Sequence, residues 1–300
     1  MSNSKTPNLA SKLKLNQHQL KDYWIPVALF ILFTLASIVF FNHFKDHASI
    51  WGNMKVAGGN AFKFCEHNSL DSSLVQTSNT WSNLGFLVLG LFILFMGIKD
   101  FKLKKENHVN LLIKYPIFSI IMGISIIYLF VGSFFYHASV TYFFQMIDQT
   151  GMYAILLSFM SYNIFRIWPS FQSKSGEIKS SLNRVLIVLF ILDFLFLTVL
   201  WKVIDINILF TTLALSFIVF SVVYTKKANS EKFTKLLLYA AVIVYLSSMT
   251  IWILDRSNTF CDPQSLVQGH ALWHLLNSVA VLLIYFSYRS ENSHSSISKA

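Results

Sequence analysis

The sequence predicts an all-α integral membrane protein, and three observations carry that prediction. The chain is 54% hydrophobic and only 13% charged, where a soluble domain carries about a quarter of its residues as charges. Its apolar residues gather into eight runs: 23–43, 78–98, 115–138, 142–165, 184–202, 206–225, 236–255 and 268–288. Each is close to the ~20 residues that an α-helix needs to cross a bilayer. The Lys and Arg residues between the runs are lopsided. With eight spans, 19 of the 24 fall on the side that holds both tails and five on the other, which puts both termini in the cytosol. An odd number of spans would mix the two sets.

The first run, 23–43, begins too far in and is too long for a cleaved signal peptide, and no small-residue cleavage site follows it. A non-cytosolic loop, 44–77, leads to the second run. Between the fifth and sixth runs only WKVIDIN remains, which requires a tight hairpin at the membrane surface. Residues 1–22 and 289–300 are polar cytosolic tails, and 78–288 holds the other seven runs. The net charge of +10 resides in short loops. It is a topology signal and not the clustered basic face of a nucleic-acid-binding protein.

Ionisable residues inside a span are expensive and mark functional sites. Here Ser133 and His137 lie one turn apart at the outer end of the third span. Asp148 follows about two turns into the fourth, or roughly 9–10 Å below its start. His270 and His274 share a face in the first turns of the eighth. All five therefore lie at one depth near the non-cytosolic surface. A lone buried histidine at a helix end is ordinarily a hydrogen-bonded packing residue. Three together match a three-histidine zinc site with an open fourth position, where a bound water is acidified to a pKa of about 7. Asp148 then suits a general base and proton shuttle, and Ser133 a hydrogen-bond partner for the water or the developing oxyanion. His18, His43, His47, His67, His108 and His294 lie in tails, loops or a span end and receive no role. Cys65 and Cys261, the two cysteines of the chain, both fall on the non-cytosolic side, where a pair tends to be oxidised. Two unrelated thiols is the alternative.

At these residues the chain resembles the alkaline ceramidase family, within the wider superfamily of seven-helix membrane hydrolases that includes the adiponectin-receptor-like proteins. The resemblance rests on FCEHN at 64–68, NTWSNLG at 79–85, GSFFYHAS with QMIDQ at 132–149 and GHALWH at 269–274, and it covers about 64–288. It implies a seven-helix bundle with the 23–43 helix as an addition. It further implies a zinc-dependent amidase that cleaves ceramide to a sphingoid base and a fatty acid. His137, His270 and His274 would bind zinc, Ser133 and Asp148 would serve catalysis, and Cys65 would pair with Cys261. Eukaryotic members carry a calcium site beside the first cysteine. Here Glu66 and Asn68 match it, but Lys63 and Gln76 stand where carboxylates are expected, so calcium is not expected to bind. Lys63 is read instead as a partner for Glu66.

A zinc-containing lipid-sensing receptor without turnover is the competing class, since fold does not dictate function. A transporter would want broken helices, and Gly/Pro interruptions are sparse. Membrane lipids are the implied partners, with an N-acyl lipid entering sideways between helices. No protein partner is indicated. Ser78 or Asn79 reads as a helix cap, and Asp255 with Arg256 as a surface pair. Asp193 is a mid-span carboxylate. Trp81, Trp201, Trp252 and Trp273 read as interfacial anchors, with Trp273 also suited to wall the cavity.

Overall fold

A computed structural model describes residues 23–45, 47–58, 63–103, 108–167, 206–227, 230–259 and 261–291, with six further positions between 187 and 199. Among these residues all regular structure is helical, apart from one isolated bridge between Val56 and Thr141. The helices are α1 (Trp24–His43), α2 (Thr77–Ser82), α3 (Leu84–Leu103), α4 (Leu111–Lys114) and α5 (Ile117–Ser139), followed by α6 (Tyr142–Ile167), α7 (Ile206–Lys227), α8 (Lys232–Arg256) and α9 (Gly269–Ser290). Helices α2 and α3 run on through Asn83, whose N–H bonds the Thr80 carbonyl.

Five of these stretches are long and apolar enough to cross a membrane: α1, α2 with α3, α5, α8 and α9. The protein is a multi-pass membrane protein. Helix α6 has the length, but Gln145, Asp148 and Gln149 near its start dilute its apolar character. The run at 184–202 lies mostly outside the described residues, and with it Asp193 and Trp201. Observed helices extend past the apolar runs at polar ends. For example, α8 starts at Lys232 rather than 236 because Lys232 and Lys235 complete its first turn.

Between helices in lipid, close packing replaces the hydrophobic effect as the cohesive force, and small residues allow it. Gly132 on α5 is one such position. A Cβ there would collide with the backbone of Ile147 and Asp148 on α6. Gly123 does the same one face away, where a Cβ would lie 2.5 Å from Leu94 N on α3. Helix α5 is thereby pressed between α3 and α6. The buried aromatic residues Phe86, Phe118, Phe130 and Phe134 fill the spaces around it. Helix α1 docks edge-on through Phe33, whose ring centroid is 5.0 Å from that of Phe130.

The loop after α1 closes one end of the bundle. The last turn of α5 leaves carbonyls without helical donors, and this loop supplies them. Gln76 N bonds His137 O (3.1 Å), Val75 N bonds Ala138 O (3.0 Å) and Ala57 N bonds Val140 O (2.9 Å). Val140 itself takes a left-handed conformation (φ 50°) that is costly for a β-branched residue; these bonds hold it there. A disulfide joins Cys65 to Cys261 across 196 residues, tying this loop to the one before α9.

At the opposite end two arginines counted from the sequence among loop charges prove to be buried. Arg289 meets Asp100 with both terminal nitrogens, at 2.6 and 3.3 Å. Arg166 pairs with Glu291 and lies between the rings of Tyr224 and Tyr288. Their partners are distant in sequence, so composition alone cannot distinguish them from solvated charges.

Candidate metal centre and active site

His137 ends α5, and His270 and His274 open α9; all three are buried. One ring nitrogen from each lies within 4.8 Å of the others. The Nε2 atoms of His137 and His270 are 3.2 Å apart. Neighbouring polar groups decide which nitrogen faces inward. His137 Nδ1 is 2.6 Å from Gln76 Oε1, which only accepts, so His137 carries its proton on Nδ1 and leaves Nε2 as a lone pair. Ser82 Oγ donates to Asn79 O (2.9 Å), so at 2.8 Å from His274 Nδ1 it must accept. His274 therefore also presents Nε2 as a lone pair. This is how metal-binding imidazoles are oriented by outer partners. Two nitrogens at ~2.05 Å from a tetrahedral metal lie about 3.3 Å apart, close to the separation observed. Among the described residues His270 Nδ1 has no hydrogen-bond partner. The donor set and its spacing fit a metal of zinc's kind.

Ser133, one turn before His137, is buried with its Oγ 3.5 Å from His274 Nε2. Its hydroxyl also neighbours the Asp148 carboxyl group, which the close approach of α6 to Gly132 brings onto the same face. Asp148, His270 and His274 line a polar cavity of about 130 Å³, together with Gln145, Gln149 and Arg256. An apolar cavity of about 100 Å³ adjoins it between α5, α6, α7, α8 and α9, lined by side chains such as Leu129, Ile155, Phe217 and Leu238. Met152 and Trp273 line both. The acid and the three imidazoles thus adjoin an apolar slot.

A family profile described as Ceramidase matches residues 60–298. The chain belongs to the ceramidase family. That membership makes it a hydrolase of the ceramide amide bond, and the N-terminal helix α1 precedes the matched region. No curated protein matches the chain.

Several features at the site differ from the sequence reading. Asp255 is buried rather than part of a surface pair: Oδ2 accepts from Cys65 N (3.3 Å) and Oδ1 from His270 N (3.1 Å). It therefore caps α9 and fixes the start of the helix that bears two of the histidines. Lys63 is exposed and makes no ion pair with Glu66. The Glu66 carboxylate instead accepts from Ser78 N (2.5 Å) and Asn79 N (2.8 Å) at the start of α2, and this cap displaces the predicted capping by Ser78 or Asn79. Burial raises the Glu66 carboxyl above its ordinary range, while the two N–H donors pull the other way. Asn68 Oδ1 accepts from Gln76 Nε2 at 2.7 Å, so the amide and acid of the calcium-like motif are engaged within the loop. Phe64, unassigned from sequence, stacks on His270 with centroids 3.9 Å apart.

Proposed function

We propose that this protein is a zinc-dependent intramembrane amidase that cleaves ceramide, or a related N-acyl lipid, to a sphingoid base and a free fatty acid. The observation that carries the reading is the convergence of three imidazoles beside the Ser133–Asp148 pair, at the junction of a polar and an apolar cavity. Zinc held by His137, His270 and His274 would polarise the amide carbonyl and acidify a nearby water. Gln76 and Ser82 keep His137 and His274 in the tautomer that offers Nε2. Asp148 takes the proton of the attacking water as the new C–O bond forms. It returns a proton to the amide nitrogen as the C–N bond breaks, so the amine departs neutral. Once protonated, Asp148 can donate to Ser133 Oγ, which frees the serine O–H for the oxygen on which charge develops. The acyl chain fits the apolar cavity, where each buried methylene contributes about 0.8 kcal/mol.

In this reading the chain crosses the membrane eight times, with α1 added to a seven-helix core at 78–288 and tails 1–22 and 289–300 in the cytosol. The site faces the periplasm, lumen or cell exterior. The Lys/Arg asymmetry and the disulfide at the site end support that orientation. Glu66 and Asn68 serve structure, and calcium leaves the melting temperature of zinc-loaded protein unchanged.

Elemental analysis of purified protein tests the metal, with one zinc per chain expected. Ceramide hydrolysis on the same preparation tests the chemistry. Asp148→Ala should abolish fatty-acid release and keep zinc, whereas His270→Ala should lose both. Zinc-loaded wild-type protein that cleaves no lipid amide or ester would move the assignment to a lipid-sensing receptor.

A further inference from the structure

We infer that the polar cavity carries a binding site for an anionic group on the amine side of the substrate, with Arg256 as its cation, so that N-acyl lipids with a negatively charged head are preferred over neutral ceramide. The inference rests on the amidase reading and names the substrate class of that site.

Arg256 is the last residue of α8 and lines the polar cavity. Its guanidinium lies 5.0 Å from the centroid of Trp252 and 5.7 Å from that of Phe64. Phe64 in turn stacks on the ligand-bearing ring of His270. Two aromatic faces thus hold the cation beside the imidazoles without neutralising it. Among the described residues Arg256 makes no hydrogen bond and no ion pair. Neither acid near it by position forms an ion pair with it: Asp255, its chain neighbour, accepts from backbone N–H groups, and Asp148 lines the same cavity without reaching the guanidinium. An arginine that merely snorkels at a membrane surface turns its head to water. Here the ring contacts hold the head over the cavity.

The geometry of the two cavities says which end of the substrate it would meet. With the acyl chain in the apolar slot and the amide at the imidazoles, the amine side projects into the polar cavity with Gln145, Gln149 and Arg256. The amides suit hydroxyl groups. A fixed guanidinium fork, with its hydrogen-bond donors unspent, suits phosphate or carboxylate oxygens, which it can bind in bidentate fashion.

The test compares ceramide with the same ceramide phosphorylated on its head, in neutral detergent micelles, for wild type, Arg256→Gln and Arg256→Lys, with melting temperatures recorded for each. The expected result is a kcat/KM ratio favouring the phosphorylated substrate, which falls at least about tenfold in Arg256→Gln and is partly restored in Arg256→Lys. A wild-type ratio at or below one overturns the inference and leaves the amidase reading standing. A preference that survives Arg256→Gln also overturns it. Neutral ceramide in vesicles containing a minority of anionic phospholipid forms the third arm. Stimulation there that depends on Arg256, without a preference among substrates, would assign the cation to bilayer lipid instead and overturn the inference. No hydrolysis of either substrate would remove the amidase reading and this inference together.

Discussion

At its first turns α9 presents His270, Trp273 and His274, and at its last turn Arg289; the two histidines, the arginine and the indole nitrogen are buried, and they are used in different ways. At the far end, Asp100 meets Arg289 with both oxygens, and Asn110 Nδ2 lies within hydrogen-bond distance of the carbonyls of Tyr288, Arg289 and Glu291, which share its two N–H donors. Tyr288 OH continues the network to Asn163, which reaches Ser221. At the near end, among the described residues, His270 Nδ1 and Trp273 Nε1 are buried without partners, two lone-pair nitrogens face inward, and Arg256 is unpaired. Buried polar groups are costly unless satisfied. The far end is not fully satisfied either, since among the described residues Arg289 Nε and Tyr162 OH are buried without partners, but its two guanidinium groups are paired with acids and that of Arg256 is not. Polarity that the fold pairs internally is there for the fold. Polarity left open beside a cavity is kept for something that enters it.

The largest expected effect breaks the comparison at the near end. Asp148→Asn removes the proton acceptor but keeps the shape and the Ser133 contact. Turnover should fall about 10²–10⁴-fold with zinc content and melting temperature unchanged. A drop in stability of several kcal/mol instead would make Asp148 a structural partner like Asp100.

The mirror experiment is Asp100→Ala. It leaves the Arg289 guanidinium buried and uncompensated, which costs about 3–5 kcal/mol, read as a lowered melting temperature. Protein that remains folded should still bind zinc, because the change lies at the other end of α9. Loss of zinc without loss of stability would join the two ends into one unit.

Smaller again is Ser82→Ala. It withdraws the acceptor for His274 Nδ1–H, so that the ring is free to change tautomer. Removal of such outer partners weakens metal binding about 10–100-fold, measurable by competition with a chelator. Unchanged affinity would show that packing alone orients the ring.

Five of the eight apolar runs appear as helices long enough to span, and the three histidines cluster; both were legible because they depend on local spacing, with apolar runs of the right length and two histidines four residues apart. What was not legible depends on contacts across the chain. Gln76 reaches His137 over 61 positions, and Ser82 reaches His274 over 192. Asp255 was read as a surface acid because Arg256 follows it, yet its oxygens bond Cys65 N, 190 residues away, and His270 N. Arg166 and Arg289 looked like topology markers because their acids, Glu291 and Asp100, lie 125 and 189 residues distant. A loop charge and a buried charge are the same letter until the partner is placed.

The smallest effect sharpens the boundary between the two uses. Glu66 is buried at the near end, yet it behaves like the far-end groups: both oxygens are bonded to N–H donors at the start of α2. If it is a cap, Glu66→Ala should cost about 1–2 kcal/mol in a melting experiment. Glu66→Gln, which keeps one acceptor oxygen, should cost less. Helix α2 carries Ser82 to His274, and Gln76 precedes it, so loosening its first turn should lower zinc affinity, but by less than Ser82→Ala does. A calcium-dependent rise in wild-type melting temperature that disappears in Glu66→Ala would reverse the assignment, because the carboxylate would then be serving an ion rather than the helix it now caps.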